Sequence, residues 1–582
     1  MASGLHTWSL PNPITNRRIG PDTKPPRTTK SPSIHPWGAC TQYLPASFVL
    51  HSPRTINNIR IDASALRCGR HRIASDQVDL HIVKCWYMAG LGVWADPRKS
   101  TNAEFDVLAM GSKSDAGREN PGIDGGGYIM SRDQLHLAPE LLLKDDELID
   151  FDRKRQDNIY RFTGLPTDSP KLLPFQLRAN ESKQIWVTVY LPPDTVPGRY
   201  QGQIRIRAPK RASIAIPITL DVTPIHLDQP ALQYMQYYDS FITAPWSNIS
   251  HSKYRTPQQM LAELCDLRAH GVENTTVCEP ITGDQPNGKT FDFSNIDRVM
   301  DLREKAGFPV RKQTLFWTPK TTSSGRPDML TDFYKHDPWI IDKPFLQRME
   351  RTIKAVLRWS KRRGIPEVCV YGIDEVQDQK LKAEIRAFKV LQKLGAKIML
   401  AVSPNFHDYL GDYVDVANVQ GDPHNPKQIP PRVIRRIHAK GGRIFNYARP
   451  QTGECRPYAY RRNYGIDMYT SGMDGPWPYG YQCTSGRYQA YDRIHTTHGS
   501  WLNHPFSYPT TDGVMITWGS QGWRAAVDDV RYMTTLQNMI DAGEGTGANR
   551  SKAREFLKNL DSNGNLPAQR RNAAQLIEKL HP

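Results

Sequence analysis

What this chain lacks narrows its reading first. Its 582 residues hold eight cysteines (40, 68, 85, 265, 278, 369, 455 and 483) with no CxxC pair. That scatter argues against a zinc site or a dense disulfide framework and leaves buried free thiols as the default. No apolar run reaches the length of a membrane-spanning helix. The opening MASGLHTWSLPNPITNRR has no apolar core of a secretory leader, and Arg17-Arg18 has no apolar run behind it. The expectation is a cytoplasmic chain, or one written without its leader, with no membrane partner. HExxH, spaced histidine clusters and GxSxG are all missing, and the Gly-rich GIDGGGYIM lacks a phosphate-binding spacing and reads as a turn. Metal-dependent and serine hydrolases therefore lose their usual marks, and neither metal nor cofactor is expected.

Acidic residues are also outnumbered: 59 Asp and Glu face 76 Lys and Arg, for a formal charge of +17. Such an excess attracts polyanions over long range, so nucleic acid and a sulfated or uronate-bearing glycan both qualify. There is no zinc-finger spacing and no aromatic RNA-binding signature. Residues 1–60 carry seven Lys/Arg and one acid, which reads as a solvated segment. Nucleic acid is thus not expected; if charge did serve it, deleting residues 1–35 would abolish binding. An anionic glycan stays open, and the oligomeric state is not legible.

What is present describes a soluble globular protein, 38% hydrophobic and 23% charged, long enough for two or three domains. Residues 1–35, rich in Pro, Thr and basic side chains, read as an extended lead-in. Over 36–228 the signal is two-residue alternation. QIWVTVYLPP sets Ile185, Val187, Val189 and Leu191 on one face; VPGRYQGQIRIRA returns Tyr200, Ile204 and Ile206; SIAIPITLDV repeats the pattern through Ile214, Ile216, Ile218 and Leu220. Strands bounded by Pro and Gly predict a β-sandwich. From 229 to 545 short apolar strands alternate with amphipathic helices, such as 256–270 with Met260, Leu261, Leu264 and Leu267 in line. Eight strand candidates result, centred on LQYMQYYDSF, VENTTVCEP, FPVRKQTLFWTP, EVCVYGIDEV, AKIMLAVSP, YVDVANVQGDP, GRIFNYARP and GPWPYGYQ. Eight such units make a (β/α)8 TIM-like barrel; an open doubly wound sheet would carry a Gly-rich phosphate loop after its first strand. Residues 521–541 predict a further helix, and 546–582 a helical tail.

In such barrels the chemistry sits where strands end. The fourth candidate ends in Asp374 and Glu375, and a plain strand would point neighbouring side chains to opposite faces. A twist or bulge there would bring both to the mouth. A bare Asp-Glu pair is usually a surface feature; at the end of a barrel strand it favours catalysis. Other strand ends offer Asp239, Glu279, Trp317, Asp422 and Tyr447, and the eighth unit offers Trp477, Tyr479 and Tyr481. Aromatic rings beside acids suit a sugar, whose apolar face stacks and whose hydroxyls hydrogen-bond. Taken singly, each ring is more often packing.

Several segments now resemble one family. VYGIDE, GRIFNYARPQTGECRPYAYRRNYGIDMYTSGMDG and YPTTDGVMITWGSQGWRAAVDDVRYMTTL are similar to the catalytic domain of glycoside hydrolase family 123 and its uncharacterised relatives. QIWVTVYLPPDTVPGRYQGQIRI resembles the β-sandwich that precedes that barrel. The resemblance spans most of 40–541 and implies a retaining β-N-acetylgalactosaminidase working by substrate-assisted catalysis. It would make Glu375 the general acid and then base, with Asp374 orienting the substrate's acetamido N–H. Tyr447 or Tyr479 would bond the acetamido oxygen. The ordinary retaining mechanism would instead take Glu279, Asp239 or Asp422 as nucleophile, with carboxyls about 5–5.5 Å apart. A lectin that kept the barrel but lost turnover is a further reading. The chain departs from the family's pattern at Gln521, where glutamate is common, at Ala525, where another acid is usual, and at Val376, where proline is frequent. The Asp-Glu pair is kept, so catalysis is still expected, and the departures leave open whether the subsite takes a different sugar.

Overall fold

The computed structural model describes residues 4–15, 17–27, 31–88, 136–242, 254–279, 281, 291–318, 343–372, 374–375, 381–382, 384–403, 405–447, 456–483, 491 and 504–581. The Gly-rich GIDGGGYIM and Val376 lie outside them.

The N-terminal region is all β. One five-stranded sheet runs in the order His6–Ser9, Tyr43–Ser52, Glu181–Tyr190, Val78–Met88, His136–Leu143. A second is built around Ile56–Ala63, Gly198–Arg207 and Ile214–Val222. Alternation decides which side chains turn inward. Ile185, Val187 and Val189 from the first sheet meet Ile204, Ile206, Ile216 and Ile218 from the second in one apolar core. The lead-in is not a solvated arm. His6–Ser9 pairs antiparallel with Phe48–His51, and Ile14, Ile19 and Ile34 are buried. These isoleucines are scattered among prolines without a period, so only the neighbouring sheet orders them.

All eight barrel-strand candidates form strands: β1 (Met235–Gln236), β2 (Asn274–Val277), β3 (Thr314–Trp317), β4 (Glu367–Tyr371), β5 (Lys397–Val402), β6 (Val416–Gln420), β7 (Arg443–Tyr447) and β8 (Gly475–Pro476). They are parallel and hydrogen-bonded in chain order. Gln233 N donates to Asp474 O at 2.8 Å just ahead of β1 and β8, so the barrel is nearly closed. The helices follow the apolar periods. Pro257–Ala269 starts at a capping box between Thr256 and Gln259, and Ile385–Leu394 stops at Gly395 with φ +83°.

Strand parity divides the barrel's side chains into two sets. Leu315, Trp317, Val368, Val370, Ile398 and Leu400 face the helices. Phe316, Cys369, Tyr371, Met399, Phe445, Tyr447 and Trp477 fill the interior. The helix expected at 521–541 runs from Trp518 to Asp541, starting earlier because Thr517 caps it through Ser520 N. Its Trp518 and Ala525 pack on Val83, Leu142 and Trp186, fixing the barrel to the all-β region. Two helices follow, Gly547–Lys558 and Leu566–Leu580, and pack against its other side. No described helix is long and apolar enough to cross a membrane.

Candidate active site

The local course of β4 explains how adjacent acids share one end of the barrel. Gly372 N donates to Met399 O at 2.9 Å, and the next such bond to β5 runs from Glu375 N to Ala401 O at 3.0 Å. A regular parallel ladder would give that second bond to residue 374. One extra residue is therefore inserted after β4, as in a β-bulge. Glu375 absorbs the bend with φ +52°, a left-handed conformation uncommon for a residue with a side chain. Gly372 is needed just before the bend, because a Cβ there would run into Leu400 and come within 2.7 Å of the Glu384 carboxylate.

The bulge leaves Asp374 and Glu375 both exposed, and each is held by a tyrosine from the barrel interior. Asp374 Oδ1 accepts from the Tyr371 hydroxyl. Glu375 Oε1 accepts from the Tyr447 hydroxyl at 2.6 Å, and Oε2 has no hydrogen-bond partner among the described residues. The Tyr237 and Tyr371 hydroxyls approach to 3.5 Å, and Tyr237 lies 5.3 Å from the Trp477 ring between centroids. Tyr479 completes the rim: its ring is 5.7 Å from Tyr237 and its hydroxyl donates to Asp239 Oδ2 at 2.9 Å. Burial, with the nearby carboxylates second, raises the phenols of Tyr237, Tyr371 and Tyr447 well above the ordinary tyrosine range. At neutral pH all three stay protonated and act as hydrogen-bond donors.

The structure therefore brings together Asp374, Glu375 and Tyr447, and places Asp239 with Tyr479 beside Tyr237 on the same interior cluster. Trp477 lies beneath as a fully buried floor, packed on Phe316 and Phe445 at 4.7 and 5.1 Å. The other candidates make different contacts. Trp317 points to the helix layer and donates through Nε1 to Glu279 O at 3.2 Å. Tyr481 also lies in that layer and donates to Asp266 Oδ2 at 2.7 Å. Glu279 is fully buried and accepts from Ile242 N at 2.7 Å. Asp422 accepts from His424 N at 2.9 Å within its own turn.

Tyr237 and Tyr371 were not among the sequence candidates. Parity would have found them, since Tyr371 shares its face with Cys369, and Tyr237 with Met235. The departures at Gln521 and Ala525 lie away from this mouth. Gln521 is buried against His270 at 3.3 Å, and Ala525 belongs to the seam with the all-β region. Neither contacts Asp374, Glu375 or their tyrosine partners. Among the described residues no group of His, Cys, Asp and Glu side chains is arranged to hold a metal.

No family model and no curated protein matches the sequence. Among solved structures, a family 123 glycoside hydrolase from Clostridium perfringens, described in terms of glycolipid glycan hydrolysis, aligns over 99% of this chain and 98% of its own. The TM-score is 0.62 at 11% identity. A GH5 xyloglucanase from Bacteroides ovatus (9% identity, 62% of this chain and 90% of that one, TM-score 0.32) is too distant to carry weight. The same holds for a GH20 exo-β-N-acetylglucosaminidase from Vibrio harveyi (8% identity, 88% and 98%, TM-score 0.26). The resemblance noted in the sequence thus extends to the fold: along nearly its whole length the chain is built like that family 123 glycoside hydrolase.

Proposed function

We propose that the protein is a retaining glycoside hydrolase acting on a 2-acetamido sugar with help from the substrate's own acetamido group. The observation that carries this reading is the bulge after β4, which presents two adjacent carboxylates at one end of a tyrosine-lined barrel. In the proposed reaction the acetamido oxygen attacks the anomeric carbon and the glycosidic C–O bond breaks. Glu375 gives its proton to the departing oxygen, and an oxazoline forms. Glu375 then takes a proton from water as the water opens the oxazoline, restoring both sugar and enzyme. Tyr447 fixes Oε1 and leaves Oε2 for that proton traffic. Asp374 accepts from the acetamido N–H, turning its oxygen toward the anomeric carbon and balancing the developing positive charge. The neighbouring rings offer a sugar an apolar wall.

A second reading rests on Asp239, a carboxylate beside the same aromatic cluster and held by Tyr479. In the ordinary two-carboxylate mechanism it would attack the anomeric carbon directly. Aryl β-glycosides with and without a 2-acetamido group, tested with a thiazoline mimic of the oxazoline, separate the two. The proposal expects turnover only of the acetamido substrates and competitive inhibition. Equal turnover of both classes with no inhibition favours Asp239. No turnover of any β-glycoside removes both readings and leaves a sugar-binding protein.

A further inference from the structure

At the other end of the barrel from Asp374 and Glu375 lies a cavity of about 670 Å³. Its walls come from the segments entering β1, β2 and β3, from the Trp518–Asp541 helix and from Tyr43 of the all-β region. This is the size of a small-molecule site, larger than a bare ion needs. Four cations line it, Arg268, Lys312, Arg524 and Arg531, against two carboxylates, Glu273 and Asp528. Arg531 Nη1 faces Asp528 at 3.5 Å.

Arg268 and Arg524 form no ion pair with a described residue. Arg268 gives Nη1 to Val272 O at 2.7 Å and lies over the Phe308 ring. Arg524 gives Nε to Ala269 O and Nη1 to Gln521 Oε1, both at 3.2 Å, and rests 4.4 Å above the Tyr43 ring. Neutral carbonyls and aromatic faces thus hold the two guanidiniums in place; Glu273 acts on Arg268, and Asp266, Asp528 and Asp79 on Arg524, from beyond ion-pair distance. Withdrawing a guanidinium from water without a counterion is unfavourable, and burial lowers both groups below the usual arginine range. Carboxylates are present around the cavity, yet among the described residues none is seated on either guanidinium, which leaves their outward N–H groups for an incoming anion.

We propose that this cavity is an oxyanion-binding site, in which Arg268, Arg524 and Lys312 take a sulfate, phosphate or carboxylate group. Planar guanidiniums suit such groups because they donate two parallel hydrogen bonds. The volume leaves room for a sugar carrying the anion, with Tyr43 beside it. The site is independent of the proposed hydrolysis.

Calorimetric titration of the full chain at fixed ionic strength tests it, using inorganic sulfate, inorganic phosphate, a 6-sulfated N-acetylhexosamine and the uncharged sugar. Saturable binding of an anion is expected. Arg268→Gln with Lys312→Gln should weaken it at least tenfold while the melting temperature in chloride stays within a few degrees. Arg524→Gln should do the same, and if it fails to fold, the first pair still decides. Tighter binding of the sulfated sugar than of sulfate assigns the oxyanion to a glycan; equal binding assigns it to a free ion. Glu375→Gln should leave the titration unchanged. The inference is overturned if no anion saturates, if the Arg268→Gln and Lys312→Gln variant binds as before, if the uncharged sugar binds equally, or if Glu375→Gln abolishes binding.

Discussion

At Glu375 the chain accepts φ +52° at a residue with a long side chain. Left-handed backbone outside glycine costs on the order of 1–3 kcal/mol, and such strain gathers at sites where geometry serves function. Here it turns Glu375 so that Oε1 meets the Tyr447 hydroxyl at 2.6 Å. Tyr447→Phe deletes that bond and keeps the ring. In the proposed mechanism kcat should fall by about tenfold to a hundredfold, part of the 10²–10⁴ that general acid catalysis supplies, with KM little changed. Steady-state kinetics decide the point, and an unchanged kcat would show that Glu375 needs no such support. The pair at 374–375 was legible in the sequence because it ends an apolar run. Of its tyrosine partners, Tyr447 was legible too, as a strand end, whereas Tyr371 was not, because residues were judged by strand end alone. Parity separates Phe316, which faces inward, from Trp317, which packs on the helices.

Among the elements, the barrel strands read clearly because each is a short apolar run between helical periods. The His6–Ser9 strand did not, since four residues of edge strand take their order from Phe48–His51. The Trp518–Asp541 helix is the joint between regions. Its Asp529 is fully buried between Arg461, at 2.7 and 3.0 Å, and Arg570 of the last helix. Breaking a buried pair by neutralising one partner strands the others, at a cost of about 3–5 kcal/mol. Asp529→Asn is therefore expected to lower the stability measured by urea unfolding by about that amount. A loss below about 1 kcal/mol would mean the arginines find solvent instead.

For the molecule as a whole, the apolar seam between barrel and all-β region also sets a limit in acid. His81 is buried there near Asp79, Lys144 and Arg524, and burial, the largest cause, lowers its pKa to about 4 from 6.5. A histidine whose folded pKa is depressed favours folding while it is neutral. That contribution is full above about pH 6.5 and is lost as pH falls toward 4, for a total of about 3 kcal/mol. His51 and His270, also shifted down by burial, act in the same direction. Urea midpoints measured from pH 7.5 to 4 should fall less steeply in His81→Gln than in the parent chain. Identical slopes would show that His81 gains water when charged. Net charge said little about function at this scale, because the +17 excess is a sum over the chain and does not say where the charges sit.

The most direct measurement is the hydrolysis rate of an unactivated 2-acetamido β-glycoside by the parent chain and by Glu375→Gln, with circular dichroism to check folding. The parent should turn over, and the variant should lose at least about 10²-fold in kcat with its fold intact. A well-folded variant that keeps the parent rate would show that Glu375, for all its placement at the barrel mouth, carries no proton in the reaction.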